Sequence, residues 1–322
     1  MYSMKKYLLL FLCLTLGVAY AQDTLRVRVM TYNLRFGELA SLEELAHHIK
    51  SFKPDFVALR KRTPHQKGKD FISELAYHTG MFGLYGKTID YSTGYYGIGM
   101  LSKYPYISVQ KIMLPHPVKE HERRAMLEGL FEMGNDTIVF TSTHLDVNSQ
   151  ETRAEQIKFI TGHFKNYKYP VILGGDFNAR HYSEAIRGMD SWFAASNDDF
   201  GMPAWKPVIK IDYLFAYPQK GWRVISTQTV QSLLSDHLPI ITMIHTIIKY
   251  LLISATLFFC SCHKPKTDII TPAKQLIERQ IGERAQSIHF EYIEPSDGKD
   301  IFEVIASDGR LTLRGSSSVA IC

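Results

Sequence analysis

Apolar and polar positions alternate along much of this chain, and alternation at a period of two marks half-buried strands. Leu25, Val27 and Val29 alternate with Arg26 and Arg28, so Thr24 to Leu34 reads as a strand. Ser41 and Glu44 form a capping box, with Leu42, Leu45, Ile49 and Phe52 on one helical face behind it. Pro54 ends that helix, and Phe56 to Leu59 is a short buried strand. Asp70 to Gly80 reads as a helix stopped by its glycine. Strands follow around Phe82–Gly86, Tyr96–Leu101, Ile107–Leu114, Ala125–Met133 and Thr137–Thr143. Ser149 to Tyr167 carries Ile157, Ile160 and Phe164 on one helical stripe. Val171 to Leu173 is a buried strand running into Gly174-Gly175-Asp176, and further strands span Asp212–Tyr217, Trp222–Val230 and Leu238–His245. So many strands with so few helices predict two packed sheets covered by helices, an α+β arrangement, rather than a regular βαβ repeat.

The 322 residues are 45% hydrophobic and carry a formal charge of +5, which excludes a mainly disordered chain and says little about partners. Lys5 and Lys6, the apolar run from Tyr7 to Val18, and Ala19-Tyr20-Ala21 read as a secretory signal over 1–21, cleaved before Gln22. That run is too short for a membrane span. Export to the periplasm or cell surface of a bacterium is therefore expected. No cysteine lies between 22 and 259, which excludes a disulfide framework or thiolate metal site there. A second apolar run, Ile247 to Cys262, carries the basic residue Lys249 near its start and ends in Ser261-Cys262 before a polar tail. It resembles a bacterial lipoprotein signal displaced into the middle of a chain. The expected organisation is a signal at 1–21, a main domain at 22–245, an apolar linker at 246–264 with membrane association through 247–262, and a tail at 265–322. A fusion or frameshift accounts for such a join.

Polar residues with metal- and phosphate-binding chemistry sit just beyond the strands. Asn33 follows Val29-Met30-Thr31-Tyr32, His144 follows Val139 to Thr143, and Asp176 and Asn178 follow Val171-Ile172-Leu173. Asp212 opens a strand, and Asp236-His237 precedes another. Strand-end carboxylates and carboxamides can converge at the mouth of a sandwich, where hard oxygen ligands suit Mg²⁺ or Ca²⁺ and imidazoles suit proton transfer or phosphate stabilisation. Singly, each is an ordinary turn or surface residue; their joint order carries the argument.

MTYNLRFG (30–37), PDFVAL (54–59), YGIGMLSKYP (96–105), STHLD (142–146), GGDFNA (174–179), IDYLF (211–215) and SDHLPI (235–240) together resemble the endonuclease/exonuclease/phosphatase superfamily, with the deoxyribonuclease I-like fold. The resemblance covers about 24–245. It implies a four-layer αββα sandwich, hydrolysis of a phosphoester, and a divalent ion, Mg²⁺ or else Mn²⁺ or Ca²⁺. The substrate class stays open among nucleic acid, lipid head group and small molecule, and a monomer is expected. By motif, Asp176 would orient or activate the attacking water and Asn178 would hold a phosphate oxygen. Asp212 would orient His237, which would contact the phosphate, and His144 would act as acid/base or donor. Asn33 and Asp236 would belong to the metal's shell.

One departure stands against these matches. After PDFVAL the family has Gln-Glu, its Glu being the principal metal ligand, whereas this chain reads Arg60-Lys61-Arg62-Thr63. Either Glu became Lys61 or a short segment holding Gln-Glu was deleted. The joint change of several residues and a short-looking loop favour deletion. Either way a carboxylate is missing, and doubtful metal affinity and impaired hydrolysis are expected. The alternative is a catalytically inactive binding module.

The tail reads as a helix at Leu276–Gly282 followed by strands at Phe290–Ile293, Phe302–Ala306 and Leu311–Arg314. GRLTLRGSSSVAIC resembles the N-terminal domain of family 89 glycoside hydrolases, the α-N-acetylglucosaminidases. A small, incomplete αβ segment is expected, and an accessory glycan-related role is the third reading.

Overall fold

The computed structural model describes residues 24–35, 39–63, 71–91, 94–134, 136–247, 270–296, 299–307 and 309–317. The expected signal at 1–21 and nearly all of the apolar stretch 247–262 lie outside them. Among the described residues no helix is long and apolar enough to cross a membrane.

The first sheet holds β1 (Thr24–Asn33), β2 (Phe56–Thr63), β3 (Phe82–Tyr91) and β4 (Gly94–Ser102), with β11 (Trp222–Thr229) and β12 (Ile240–Ile247) returning from much later in the chain. Its order is β11-β12-β1-β2-β4-β3. The second sheet holds β5 (Tyr106–Met113), β6 (Ala125–Met133), β7 (Asp136–His144), β8 (Val171–Asp176), β9 (Phe193–Ala194) and β10 (Asp212–Tyr217). Its order is β5-β6-β7-β8-β10-β9. The pairs β1/β2 and β7/β8 are parallel and the remaining pairs antiparallel.

Alternation sorts the side chains into layers. Val27, Val29, Phe56 and Ala58 face Leu127, Phe140, Ile172 and Leu214 in a core between the sheets. Phe56 stacks on Phe140 with ring centroids 4.9 Å apart. The opposite face of the first sheet, with Met30, Val57 and Leu59, is covered by α1 (Leu42–Ser51) and α2 (Phe71–Thr79). The outer face of the second sheet, with Val139, Val171 and Leu173, is covered by Ile157 and Ile160 of α3 (Gln150–His163) and by the short α4 (Glu184–Arg187). This is the four-layer αββα sandwich expected. Helix α3 stops at His163, four residues before the expected Tyr167, and Ser149 is its cap rather than its first residue. The two-residue β9 and the single-turn α4 are too short to leave a periodic signature in the sequence.

Glycines set how closely the layers approach at the end of β8. A Cβ on Gly174 would lie 2.9 Å from Leu214 and 3.0 Å from Ala58 of the opposing sheet. Gly175 has φ +154°, and a Cβ there would collide with the carbonyl oxygen of Thr143 on β7. Only glycine passes this point without moving backbone.

In the tail, α5 (Ile270–Ile281) and a 3₁₀ turn lead into β13 (Ile288–Tyr292), β14 (Phe302–Ser307) and β15 (Arg310–Gly315), which pair in the order β13-β15-β14. Helix α5 begins six residues before the expected Leu276. Ala273 and Leu313 form its small core, while every position of β14 is exposed, Val304 at 57%.

Gly175→Ala should destabilise the main domain by about 3 kcal/mol in denaturant unfolding, because relief of the clash requires β7 and β8 to separate. Limited proteolysis should cut within 246–317 well before it cuts 24–245, because the tail's core is too small to hold a unit of its size.

Candidate active site at one end of the sandwich

Register builds the site. In the first sheet Asn33, the last residue of β1, lies level with Arg60 of β2. In the second, His144, the last of β7, lies level with Asp176, the last of β8, and Asp176 is paired with Asp212, the first of β10. Two parallel pairs therefore deliver their C-terminal ends to one edge, and the antiparallel β10 starts there. The loop before β12 supplies Ser235, Asp236 and His237. Ser235 Oγ donates to the Asn33 carbonyl at 2.6 Å and ties that loop down.

Asp176 is the hub. It is buried, and its Oδ2 accepts from Asn33 Nδ2 at 3.0 Å and from Arg60 Nη1 at 2.9 Å. Its Oδ1 accepts from the backbone N–H of Asn178 at 2.9 Å, closing a turn that holds Asn178 at φ +49°. Asparagine tolerates that left-handed backbone because its short amide bonds locally. Asn178 Nδ2 reaches the Leu145 carbonyl at 3.0 Å and His144 Nε2 at 2.9 Å.

His144 is fixed from behind. Its Nδ1 receives Arg124 Nη1 at 2.6 Å and contacts the Tyr96 hydroxyl at 2.6 Å. A guanidinium only donates, so Nδ1 is the acceptor toward Arg124, while Nε2 faces the Asn178 amide and lies 3.8 Å from Asp176 Oδ2. The Tyr96 hydroxyl also receives Arg60 Nε at 3.1 Å and Arg124 Nη1 at 2.6 Å. Arg124 is 2% exposed and pairs with Glu122 at 2.9 Å.

Asp212 Oδ2 meets His237 Nδ1 at 2.7 Å, and His237 Nε2 lies 3.0 Å from Asn33 Nδ2. Burial alone would push His237 down; the charge of Asp212 and its hydrogen bond outweigh burial, with help from Asp176 and Asp236, and raise it to about 9. Burial pushes Asp212 up, opposed chiefly by His237. The pair shares one proton, and we place it on His237, since Lys210 lies close enough to help hold Asp212 as a carboxylate. Burial lowers Lys210 to about 8, against the pull of Asp212, Asp198 and Asp199. For Arg60, burial is offset by Tyr96, Asp176 and Asp212, and it stays charged.

The structure thus brings six of the seven residues singled out in the sequence, Asn33, His144, Asp176, Asn178, Asp212 and His237, into one hydrogen-bonded set. Asp236 is adjacent, drawn to Arg35 at 3.6 Å and to Ser235 at 3.4 Å. Tyr96 and Arg124 escaped sequence reasoning, and Arg60 entered it only as part of the departure after PDFVAL. Arg60 had a signal: Phe56 and Ala58 face the inter-sheet core, so period two sends position 60 the same way. Lys61 pairs with Gly97 on the neighbouring β4. The β2–β4 register runs unbroken from Phe56 to Thr63, so Arg60 and Lys61 occupy regular strand positions.

Asp176, Asp212 and His237 offer ligand atoms within 4.8 Å of one another, a group that could hold a metal ion. Asp212 Oδ1 is buried without a hydrogen-bond partner among the described residues, which fits a cation there. On the opposing side, Asp176 Oδ2 is already contacted by Arg60.

The raised His237 fixes a pH dependence. A group whose folded pKa lies above its unfolded value of about 6.5 stabilises fully below that value and loses the contribution as pH rises through the folded one, here about 9. Unfolding of wild type and Asp212→Asn should therefore differ most near about pH 6 and converge by about pH 10. An NMR titration of His237 should show the raised midpoint directly.

The model of the Endonuclease/Exonuclease/phosphatase family matches residues 30–237, and that of the Alpha-N-acetylglucosaminidase (NAGLU) N-terminal domain matches 271–322. No curated relative matches the chain. Solved structures repeat the sandwich. An endonuclease/exonuclease/phosphatase from Beutenbergia cavernae is 20% identical with a TM-score of 0.58, over 69% of this chain and 72% of its own. A family protein from Bacteroides thetaiotaomicron is 14% identical with a TM-score of 0.60, over 70% and 100%. A mannosyl-6-phosphatase from the same organism is 13% identical with a TM-score of 0.59, over 68% and 99%. At these identities the likeness shows the fold. The family match, which spans well over half of the 322 residues and contains every residue of the hydrogen-bonded set, establishes that the chain belongs to the endonuclease/exonuclease/phosphatase family.

Proposed function

We propose that this chain is an exported, bacterial phosphoester-binding protein of its family whose metal-dependent hydrolysis is impaired by Arg60 and Lys61. The observation that carries the reading is the single hydrogen-bonded set around Asp176. Its donors converge where a phosphoryl group would sit, with the Asp212–His237 pair on one side and His144 with Asn178 on the other. Export rests on the signal-like stretch at 1–21, and the phosphoester substrate on family membership. The mannosyl-6-phosphatase among the structural neighbours makes a small phosphomonoester a reasonable first substrate to try.

Each residue's part follows from its bonds. His237, held as an imidazolium by Asp212, neutralises charge on a phosphate oxygen. His144, with Nδ1 occupied by Arg124, presents Nε2 beside Asn178 at the phosphoryl side. Asn178 adds an amide donor, and Asp176 orients an attacking water with the oxygen that Arg60 does not contact. A divalent ion held by Asp176 and Asp212 would supply Lewis-acid charge to the phosphoryl oxygens. Arg60 opposes that ion. Unit charges of like sign repel by roughly 1–4 kcal/mol at about 4 Å, and a divalent ion doubles this. Such a penalty costs orders of magnitude in metal affinity, so the binding-module reading is favoured under metal-poor conditions.

The test is hydrolysis of bis(p-nitrophenyl) phosphate, mannose 6-phosphate and plasmid DNA with Mg²⁺ or Mn²⁺. Wild type should turn over very slowly. Arg60→Gln combined with Lys61→Glu should raise kcat/KM by about 100-fold, the scale of restoring an electrostatic stabiliser. Lys61→Glu alone should fall between them, and Asp176→Ala in the double variant should abolish the gain. Robust wild-type turnover lost in Asp176→Ala would refute the impairment.

A further inference from the structure

Arg60 is the cation that the site already contains. Its guanidinium lies 2.9 Å from Asp176 Oδ2, and its side chain keeps 26% exposure while that of Asp176 has none. It is therefore seated against the buried carboxylate and partly exposed. It reaches this place from regular strand geometry, level with Asn33, whose amide donates to the same oxygen. Its other contact, Nε to Tyr96, anchors the plane of the fork from behind. Among the described residues those contacts use two of the five N–H donors a guanidinium carries. The donors left over match a tetrahedral oxyanion, for which a planar fork is the best side-chain partner. Around the same carboxylate, Asn33 Nδ2 lies 3.0 Å from His237 Nε2 and Asn178 Nδ2 lies 2.9 Å from His144 Nε2.

We propose that Arg60 stands in for the divalent cation, so that the cleft captures the phosphate group of a phosphomonoester without any metal. The proposal rests on the phosphoester reading of this cleft and goes beyond it by naming the cation and the ligand. A monoester is favoured over a diester because its terminal phosphate is a dianion with three unsubstituted oxygens. It can accept from the Arg60 fork and from the His237 imidazolium at once. Mg²⁺ is bound through one or two carboxylates with several waters. Here Asp176 Oδ2 is engaged by a fixed positive charge, and Asp212 Oδ1 alone is open among the described buried carboxylate oxygens of the pair.

The experiment is calorimetric titration of the full chain with inorganic phosphate and with mannose 6-phosphate in EDTA, repeated with Mg²⁺ in place of EDTA. Wild type should bind both ligands in EDTA, with Mg²⁺ adding no affinity and giving no heat when titrated alone. Arg60→Gln should weaken binding in EDTA by about tenfold or more, the loss of a charge-assisted hydrogen bond. Arg60→Lys, which keeps the charge and loses the fork, should fall between. Circular dichroism melts of the variants separate lost binding from lost folding. Should Arg60→Gln be unfolded, the Lys variant and the Mg²⁺ dependence of wild type decide the matter. Binding that requires Mg²⁺ overturns the proposal and leaves the phosphoester reading standing. Equal binding by wild type and Arg60→Gln in EDTA overturns it too. Absence of binding in either buffer overturns both.

Discussion

The carboxylate of Asp176 is the constraint on which the rest depends. A buried ionised carboxylate is costly unless it is paired and hydrogen-bonded. Asp176 meets that condition with donors from both sheets: Asn33 and Arg60 from the first, the Asn178 backbone from its own. The charge therefore holds the two layers together at the one edge where their apolar core ends. Gly174 and Gly175 directly before it allow β8 to approach Ala58 and Thr143 closely enough for those bonds to form. The packing requirement and the chemical requirement are met by three consecutive residues.

A second layer of constraint runs through Tyr96. Its hydroxyl accepts from Arg60 and Arg124 and touches His144. Two guanidiniums that would otherwise repel each other are bridged by one acceptor, and the imidazole is held between them and Asn178. Arg124 can be almost fully buried because Glu122, Tyr96 and His144 together engage it. Removing any member would expose the others to an unsatisfied buried donor, which costs about 1–3 kcal/mol before any effect on chemistry.

Most of the fold was legible because alternation at a period of two is local. Val27, Val29, Phe56 and Ala58 declare an inward face without knowledge of the partner sheet. The strand-end placement of Asn33, His144, Asp176 and Asp212 was legible for the same reason, since a strand's last residue can be read from its run. The partners were not. Asn33 and His237 are 204 positions apart, and Arg60 and Asp176 are 116 apart; no local pattern encodes such pairings. Asp236, expected in the metal's shell, has Arg35 and Ser235 beside it, contacts that only the folded loop reveals. Lys61 stands where the family's glutamate is expected if no segment was deleted. Arg60, the neighbour facing inward, proved to be the residue that touches the site.

A fixed guanidinium and a bound divalent ion are unequal substitutes, and the difference separates recognition from turnover. Both present positive charge to a phosphoryl oxygen. The guanidinium is always charged, weakly hydrated and matched in shape to two oxygens, so it recognises phosphate well without having to be recruited from solution. It has no open coordination position, however. It can neither lower the pKa of a bound water nor follow the oxygens as charge develops on them, and a metal does both. A site that exchanges one for the other therefore keeps its affinity for a phosphorylated ligand while giving up the means of making a nucleophile. The His237–Asp212 pair and the Arg124–His144 contact hold the remaining donors without a bond to Arg60, while Tyr96 couples Arg60 to that framework. Retention of that whole framework around an altered cation is what a binding role requires, and it is also why the altered positions, rather than the framework, decide whether this chain hydrolyses what it binds.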